Sequence, residues 1–388
     1  MYVRTIDITK KLYYNVRKMK IIDKLYKEHK PLYHLDSICD IDHSLFVDIE
    51  TTGLKRETTS LYLIGCGYYT EEGFFTRLFF ADDRSEEETV LKEFASFLSG
   101  FSYLIHFNGM KFDIPYLTYK AKQYGMDELF VSKQQIDVYR LCKPLRFLLF
   151  PDSMRQKAIE AFLDIQRDDT YDGGQLIEVY EQYEKTGSDE LLQLLITHNR
   201  EDVLGMHMIL PILYYLDLKD CDISYKGYEI CGYNDIYGNR CEEVIFEYKA
   251  KIPPLPRPFN AKTDTMYLKS SASGDLKIRL PLYDTEMKTY FDNYKDYRYL
   301  PGEDTVIPKS LAESLPKDRY IKATRETCCK KISARFMKQP EGIFTPVFKT
   351  SFKDKARYFR FPEDFNKEAA DEFGRCLINV FFNMRKRS

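Results

Sequence analysis

No run of apolar residues in this chain is long enough to cross a bilayer. Its first twenty residues, "MYVRTIDITKKLYYNVRKMK", lack the unbroken apolar stretch of a signal peptide. The expected location is the cytoplasm. No two of the nine cysteines stand as C-x-x-C, and the ten-residue spacing of Cys221, Cys231 and Cys241 offers none of the close ligand pairs of a zinc site. All nine read as reduced thiols, mostly in the core. Net charge is nearly absent, −2 with a pI near 6.4, so any surface for a polyanion must be a local patch. Internal repeats and low-complexity tracts are missing too. What is there is 44% hydrophobic residues across 388 positions, enough for a sizeable core and two domains of ordinary size.

Residues 1–40 are basic and aromatic with weak helical periodicity around 8–29, which predicts an N-terminal docking extension. From 41 to 215 the pattern sharpens. "SLFVDIE" and "SLYLIGCGYYT" read as strands, and the turn Glu71-Glu72-Gly73 leads into a third, "FFTRLFF". "SEEETVLKEFASFLSG" predicts a helix with a capping box from Ser85 and Glu88 and with Gly100 at its far end. "SYLIHF" is a strand, Asn108-Gly109 a turn, "DIPYLTYKAKQYG" a helix and "QIDVY" a short strand, after which the chain is helical to about 215. Three hairpin-connected strands followed by alternating helix and strand predict an α/β fold, a mixed sheet with helices on its faces. Residues 216–388 open on a turn-rich stretch and continue in alternating segments, "EVIFEYKAKI", "DTMYLKSSASGDLKIRLPLY" and "VFKTSFKDKARYFRF". With one amphipathic helix, "NKEAADEFGRCLINVFFNM", they predict a β-rich (α+β) accessory domain of unassigned fold.

The stretch "LFVDIETTGL" places Asp48 and Glu50 in a run that otherwise reads as a buried strand. Alternate strand residues share a face, so the two carboxylates are neighbours roughly 7 Å apart. Burying them costs several kcal/mol unless something pairs with them. Either the strand ends in a polar turn or the acids hold something positive. Asp113 lies two residues before Pro115, where a helix cap accounts for it. Asp202 interrupts the helical stripe Leu191, Leu195, Met206 and Ile209, and His198 lies four residues before it on the same face. A satisfied core pair accounts for those two in isolation. Taken together, three segments place acid where a sheet-and-helix core should be apolar. Carboxylates converging without a cation repel and raise one another's pKa. Divalent cations resolve this, since Mg²⁺ combines carboxylate oxygens with waters and substrate phosphate. A pair of such ions about 3.5–4 Å apart stabilises both oxygens of a phosphoryl displacement.

"FVDIETTGL", "HFNGMKFDIPYL" and "HNREDVL", in that order, resemble the three motifs of DEDD-type 3′→5′ exonucleases, which carry a ribonuclease H-like fold. "LDIQRDDTYDGGQLIEVYEQYEKTG" with "LLITHNREDVLGM" resembles the YprB-like group of predicted exonucleases, and the likeness covers about residues 45–215. The resemblance implies two Mg²⁺ or Mn²⁺ ions on Asp48, Glu50, Asp113 and Asp202, and a single-stranded 3′ end of DNA or RNA as substrate. It also implies that Thr51, Thr52 and Leu54 meet the terminal nucleotide, that Asn108 supports the second motif, and that His198 orients or deprotonates the attacking water. One departure stands out. Exonucleases with a general-base histidine place it five residues before the last acid, here Thr197, whereas the tyrosine branch uses the position of His198. Two alternatives stay open: a nucleic-acid-binding protein with a degenerate site, and a ribonuclease H-like endonuclease.

Other residues carry less. Asp137 reads as a cap, and His106 as core. Arg167, Asp168 and Asp169 recur in the resembled pattern, and surface salt links account for them as well. Lys322, Arg325, Lys330, Lys331 and Arg335, interleaved with Tyr320 and Phe336, fit either a phosphate-tracking groove with stacking positions or a plain solvated β-face. The accessory domain is equally compatible with a protein partner.

Overall fold

The computed structural model describes residues 19–150, 152–169, 171, 173–362 and 365–383. The chain separates into two compact units, Met1–Leu141 with Arg155–Leu210 and Cys142–Met154 with Pro211–Ser388.

In the first unit, β1 (Lys20–Tyr26), β2 (Ser44–Thr51), β3 (Leu61–Thr70), β4 (Gly73–Phe80), β5 (Tyr103–His106) and β6 (Gln134–Asp137) form one sheet in the order β1-β4-β3-β2-β5-β6. The first four pair antiparallel; β5 and β6 run parallel to β2. The mixed sheet expected from the sequence is present. The helical periodicity around 8–29 is corrected where it can be seen: Lys20–Tyr26 is an edge strand, and the part before residue 19 lies outside the described residues. Tertiary pairing overrides local pattern here, because β4 offers an open edge and Arg77 sits opposite Asp23, donating to both of its carboxylate oxygens at 2.9 and 2.7 Å.

Helices α1 (Glu87–Leu98) and α2 (Asp113–Gln123) follow, then the short α3 (Val138–Cys142), α4 (Arg146–Leu149) and α5 (Gln156–Phe162), and finally α6 (Gly173–Thr186) and α7 (Asp189–Met208). Segment 142–154, with α4, clusters with the second unit. The capping box expected of Ser85 and Glu88 is not formed. A 3-10 turn precedes α1, Asp83 accepts the Ser85 N–H at 2.8 Å, and Glu88 pairs with Lys92 instead.

Helix α7 lies on the face of the sheet that carries Asp48, and β3 is built to let it close in. Gly65 and Gly67 stand opposite Asp48 and Phe46. A Cβ on Gly65 would lie 1.9 Å from the Asn199 Oδ1, and one on Gly67 2.7 Å from Val203. The other face packs on α1 through Phe94, which meets Phe79 edge-to-face.

Near the end of α7 the His207 ring is fully buried, stacked on Phe74 at 4.6 Å and hydrogen-bonded to the Tyr69 hydroxyl. Burial, with the neighbouring His29 second, lowers its pKa to about 3. Above the unfolded value, roughly 6.5, neither state holds the proton. As pH falls below that, the unfolded chain takes a proton the native state refuses, so stability is lost between about 6.5 and 3, by on the order of 5 kcal/mol in full. A His207→Gln variant should therefore be less stable than wild type at pH 7.5, with the gap narrowing towards pH 4.5 in denaturant titrations. A gap independent of pH would contradict this account of the ring.

In the second unit, α8 (Tyr214–Asp220) runs through the composition shift near 216 and antiparallel structure follows. It comprises β7 (Ile223–Asn234), β8 (Arg240–Ala250), β9 (Phe259–Lys262), β10 (Tyr267–Ser270), β11 (Asp275–Tyr290), β12 (Tyr297–Leu300), β13 (Thr305–Pro308), β14 (Ile321–Lys322), β15 (Cys329–Gln339) and β16 (Arg357–Arg360), with a short α9 (Lys309–Ala312) after β13. The long β11 pairs with β8 and β10 along its first half and with β15 along its second, and β13-β12-β14 form a separate small sheet. The last helix, α10 (Lys367–Phe382), buries Ala370, Phe373, Leu377 and Phe381. No helix among the described residues is long and apolar enough to cross a membrane. All nine cysteines are free thiols.

Candidate active site

Strand β2 sits inside the sheet between β3 and β5, and a bulge after Glu50 breaks its pairing and turns the chain into the 52–60 loop. Asp113 opens α2 after a tight turn that the sequence builds with care. Asn108 takes the left-handed conformation (φ 61°), and its N–H donates to Asp137 Oδ1 at 2.8 Å. The Gly109 N–H donates to His106 Nδ1 at 3.1 Å. A Cβ on Gly109 would lie 2.8 Å from the Asp113 carboxylate, so glycine is required for the close approach. The Asn108 backbone N–H and the buried His106 and Asp137 side chains hold this turn at the head of α2. Asp137 also accepts the Tyr139 N–H at the head of α3, the cap expected of it.

The four acids are brought together. Asp48 and Glu50 have pKa values pushed well up, by burial first and then by the charges of Asp202 and Asp113. Burial, and after it Asp137 and Asp202, raises Asp113 to about 7, partly offset by a backbone N–H. Asp48 Oδ2 accepts from Asn199 Nδ2 at 2.8 Å. The Asn199 Oδ1 is buried without a partner. Glu50 Oε1 lies 3.5 Å and Asp202 Oδ2 3.3 Å from His198 Nε2, and ligand-capable atoms of these three side chains all fall within 4.8 Å of one another. A hard cation fits such a set, because the groups around it are acceptors that disfavour one another's charge.

Behind the acids stands a second layer. Arg167 donates to both oxygens of Glu160, at 2.5 and 2.6 Å, and to Asp202 Oδ1 at 2.5 Å. The surface salt link expected for Arg167 is corrected: its side chain is 10% exposed and that of Glu160 3%. Gly205 on α7 makes room for the pair, since a Cβ there would lie 2.2 Å from Glu160 Oε1. Gln156 Nε2 donates to the Asp202 carbonyl and to Glu160, both at 2.9 Å. Asp169 is drawn inward as well and meets His198 Nδ1 at 2.8 Å. Its pKa is lowered although burial opposes this, because the Tyr171 N–H, His198 and Lys157 all favour the charged form. The Glu201 carboxylate fixes the loop by accepting the N–H groups of Asp168 (3.1 Å) and Asp169 (2.9 Å). Asp168 itself is exposed.

The Thr51 hydroxyl donates to the Gly53 carbonyl at 2.9 Å, and the Thr52 hydroxyl accepts the Ser60 N–H at 2.9 Å. Both threonines shape the loop from which Leu54 projects, 83% exposed. The basic set of the second unit is divided. Lys322 lies in the small sheet, Arg325 in the following turn over Tyr294, and Lys330, Lys331 and Arg335 on β15. Alternation puts Lys330 on the opposite face from Lys331 and Arg335. Lys331 is paired with Asp304, and Arg335 lies 4.0 Å from Glu242. Phe336 is fully buried with Met287 and Phe348, so it offers no stacking face.

Sequence reading missed Asn199, Glu160, Gln156 and Glu201. The available signal for Asn199 was its place three residues before Asp202, on the same helical face.

A family model described as RNase_H superfamily matches residues 45–214. The first unit has a ribonuclease H-like fold, and the antiparallel β-rich region forms sheets of its own. Among solved structures, the family B DNA polymerase from the hyperthermophilic archaeon Pyrobaculum calidifontis matches at 17% identity over 45% of this chain and 25% of that one, with a TM-score of 0.37. Product-bound exonuclease I matches at 11% identity over 59% and 58%, with a TM-score of 0.28. E. coli exonuclease I in complex with a dT13 oligonucleotide matches at 12% over 89% and 75%, also at 0.28. The chain thus spans a quarter of the polymerase and less than two thirds of the product-bound exonuclease chain. No curated protein sequence gives a significant match.

Proposed function

We propose that the first unit is a metal-dependent 3′→5′ exonuclease of the DEDD type, nearest in its motifs to the YprB-like group, acting on single-stranded 3′ ends of DNA or RNA. The observation that carries this reading is the convergence of Asp48, Glu50, Asp113 and Asp202, from three separate segments, at such range that burial and mutual repulsion raise the pKa of the first three. These carboxylates would hold two Mg²⁺ or Mn²⁺ ions, which supply Lewis-acid activation of water and offset charge on the leaving 3′ oxygen. The chain's own part is positioning. Asn199 orients Asp48, Arg167 and Gln156 fix Asp202 and its helical turn, and the loop shaped by Thr51 and Thr52 presents Leu54 to the terminal nucleotide. In the DEDD pattern His198 would orient or deprotonate the water.

Incubation of the full chain with 5′-labelled single-stranded DNA and RNA tests this. The expected result is a ladder shortening from the 3′ end with Mn²⁺ and none with EDTA. Cleavage of circular strands would establish an endonuclease instead, and retention of strands without shortening would establish a binding protein with a degenerate site.

A further inference from the structure

His198 stands where a proton inventory decides its role. Its Nδ1 lies 2.8 Å from Asp169 Oδ2, and an ionised carboxylate only accepts, so Nδ1 carries the hydrogen. Nε2, on the far side of the ring, faces Glu50 Oε1 at 3.5 Å and Asp202 Oδ2 at 3.3 Å. Spacings of 3.3 and 3.5 Å are near those of atoms sharing one ion, since bonds of about 2.1 Å at angles between octahedral and tetrahedral put neighbouring ligand atoms about 3–3.4 Å apart. A general base, by contrast, needs an open face towards the water it deprotonates. His198 is 4% exposed and flanked by the carboxylates themselves.

Helix geometry accounts for the sequence departure in the same terms. At 3.6 residues per turn, a residue five before Asp202 points about 140° away from it, whereas one four before lies about 40° away and one turn down. The position of Thr197 therefore looks past the acid, and that of His198 looks at the same point in space. We propose that His198 is a direct nitrogen ligand of one of the two cations, sharing it with Glu50 and Asp202, and that Asp169 is the positioning residue that fixes its tautomer and ring. Carboxylate, imidazole and metal in line is how metal-binding histidines are held. Glu201 completes the chain by gripping the backbone at 168 and 169. A nitrogen ligand also shifts the site's preference away from Mg²⁺, which takes oxygen donors, towards Mn²⁺ and the later divalent ions.

The inference rests on the metal-dependent reading of the site, and its test separates the two. Full-length protein loaded with Mn²⁺ is studied by electron spin-echo envelope modulation, with and without ¹⁵N-labelled histidine. The expected spectrum shows a directly bound ¹⁴N that the label replaces and that His198→Gln removes. Mn²⁺ affinity, followed by titration, should fall about tenfold or more in His198→Gln and about tenfold in Asp169→Asn. The labelled, unsubstituted protein keeps the test valid should a variant fail to fold. Mn²⁺ bound without histidine nitrogen coupling would overturn the ligand role while leaving the metal site intact. No Mn²⁺ binding at all would overturn both readings, and unchanged affinity in Asp169→Asn would remove the positioning role.

Discussion

Asp48→Asn and Asp202→Asn are each expected to lower the rate of 3′-end trimming by about a thousandfold or more while the protein stays folded. A loss of that size follows from the task proposed for these groups. A cation opposite a phosphoryl oxygen supplies several kcal/mol of transition-state stabilisation, and each 1.36 kcal/mol is about tenfold in rate. Asparagine keeps the shape and removes the charge. Burial and the neighbouring acids already favour the neutral form of Asp48, so Asp48→Asn in metal-free protein should melt at or above the wild-type temperature. The metal response is the sharper readout. Mn²⁺ at about a hundred times its dissociation constant should add about 2.7 kcal/mol to wild-type stability by mass action, and much less to either variant. An equal gain in all three proteins would mean that the acids do not hold the cation.

The parts of this site that the sequence shows are those whose meaning is local. Asp48 and Glu50 break the apolar alternation of β2, and Asp202 breaks the stripe of α7, so each is visible as an anomaly in its own element. Asn199 is not anomalous in "THNRED". It becomes informative only when Gly65, on another strand, is seen to be missing the Cβ that would collide with it. Arg167 in "QRDD" looks like any solvated charge until Glu160 is found buried beneath it. The basic run on β15 shows the opposite error. Its charges look concentrated in sequence, yet pairing sets Arg335 opposite Asp284, and Asp304 reaches Lys331. Strand β1 belongs to the same class, since an edge strand is specified by the partner it finds more than by its own pattern. Strand and helix identity follow from periodicity within one segment; ion-pair partners and close approaches follow from tertiary register, which periodicity does not contain.

Arg167→Ala should cost about 3–5 kcal/mol of stability, an effect larger than that of any surface ion pair. Removing the guanidinium leaves the Glu160 carboxylate, 3% exposed, with the Gln156 amide in place of a charge. A buried, uncompensated carboxylate shifts towards its protonated form. Its folded pKa then exceeds the unfolded one, the native state binds the extra proton, and the variant's deficit should grow as pH rises from 5 to 8. Arg167→Lys should rescue little, because one ammonium cannot donate in a fork to Glu160 and also reach Asp202. Replacing both partners, Glu160→Met with Arg167→Met, removes the orphaned charge and should restore stability to within about 1–2 kcal/mol of wild type. Activity should not return with it. Asp202 keeps its helix but loses the 2.5 Å contact that sets its carboxylate, and misplaced ligands cost rate even in a well-folded protein. Denaturant titrations beside trimming rates therefore divide the two roles of one side chain. If the double variant recovers full rate together with stability, Arg167 serves the fold alone and Asp202 needs no clamp.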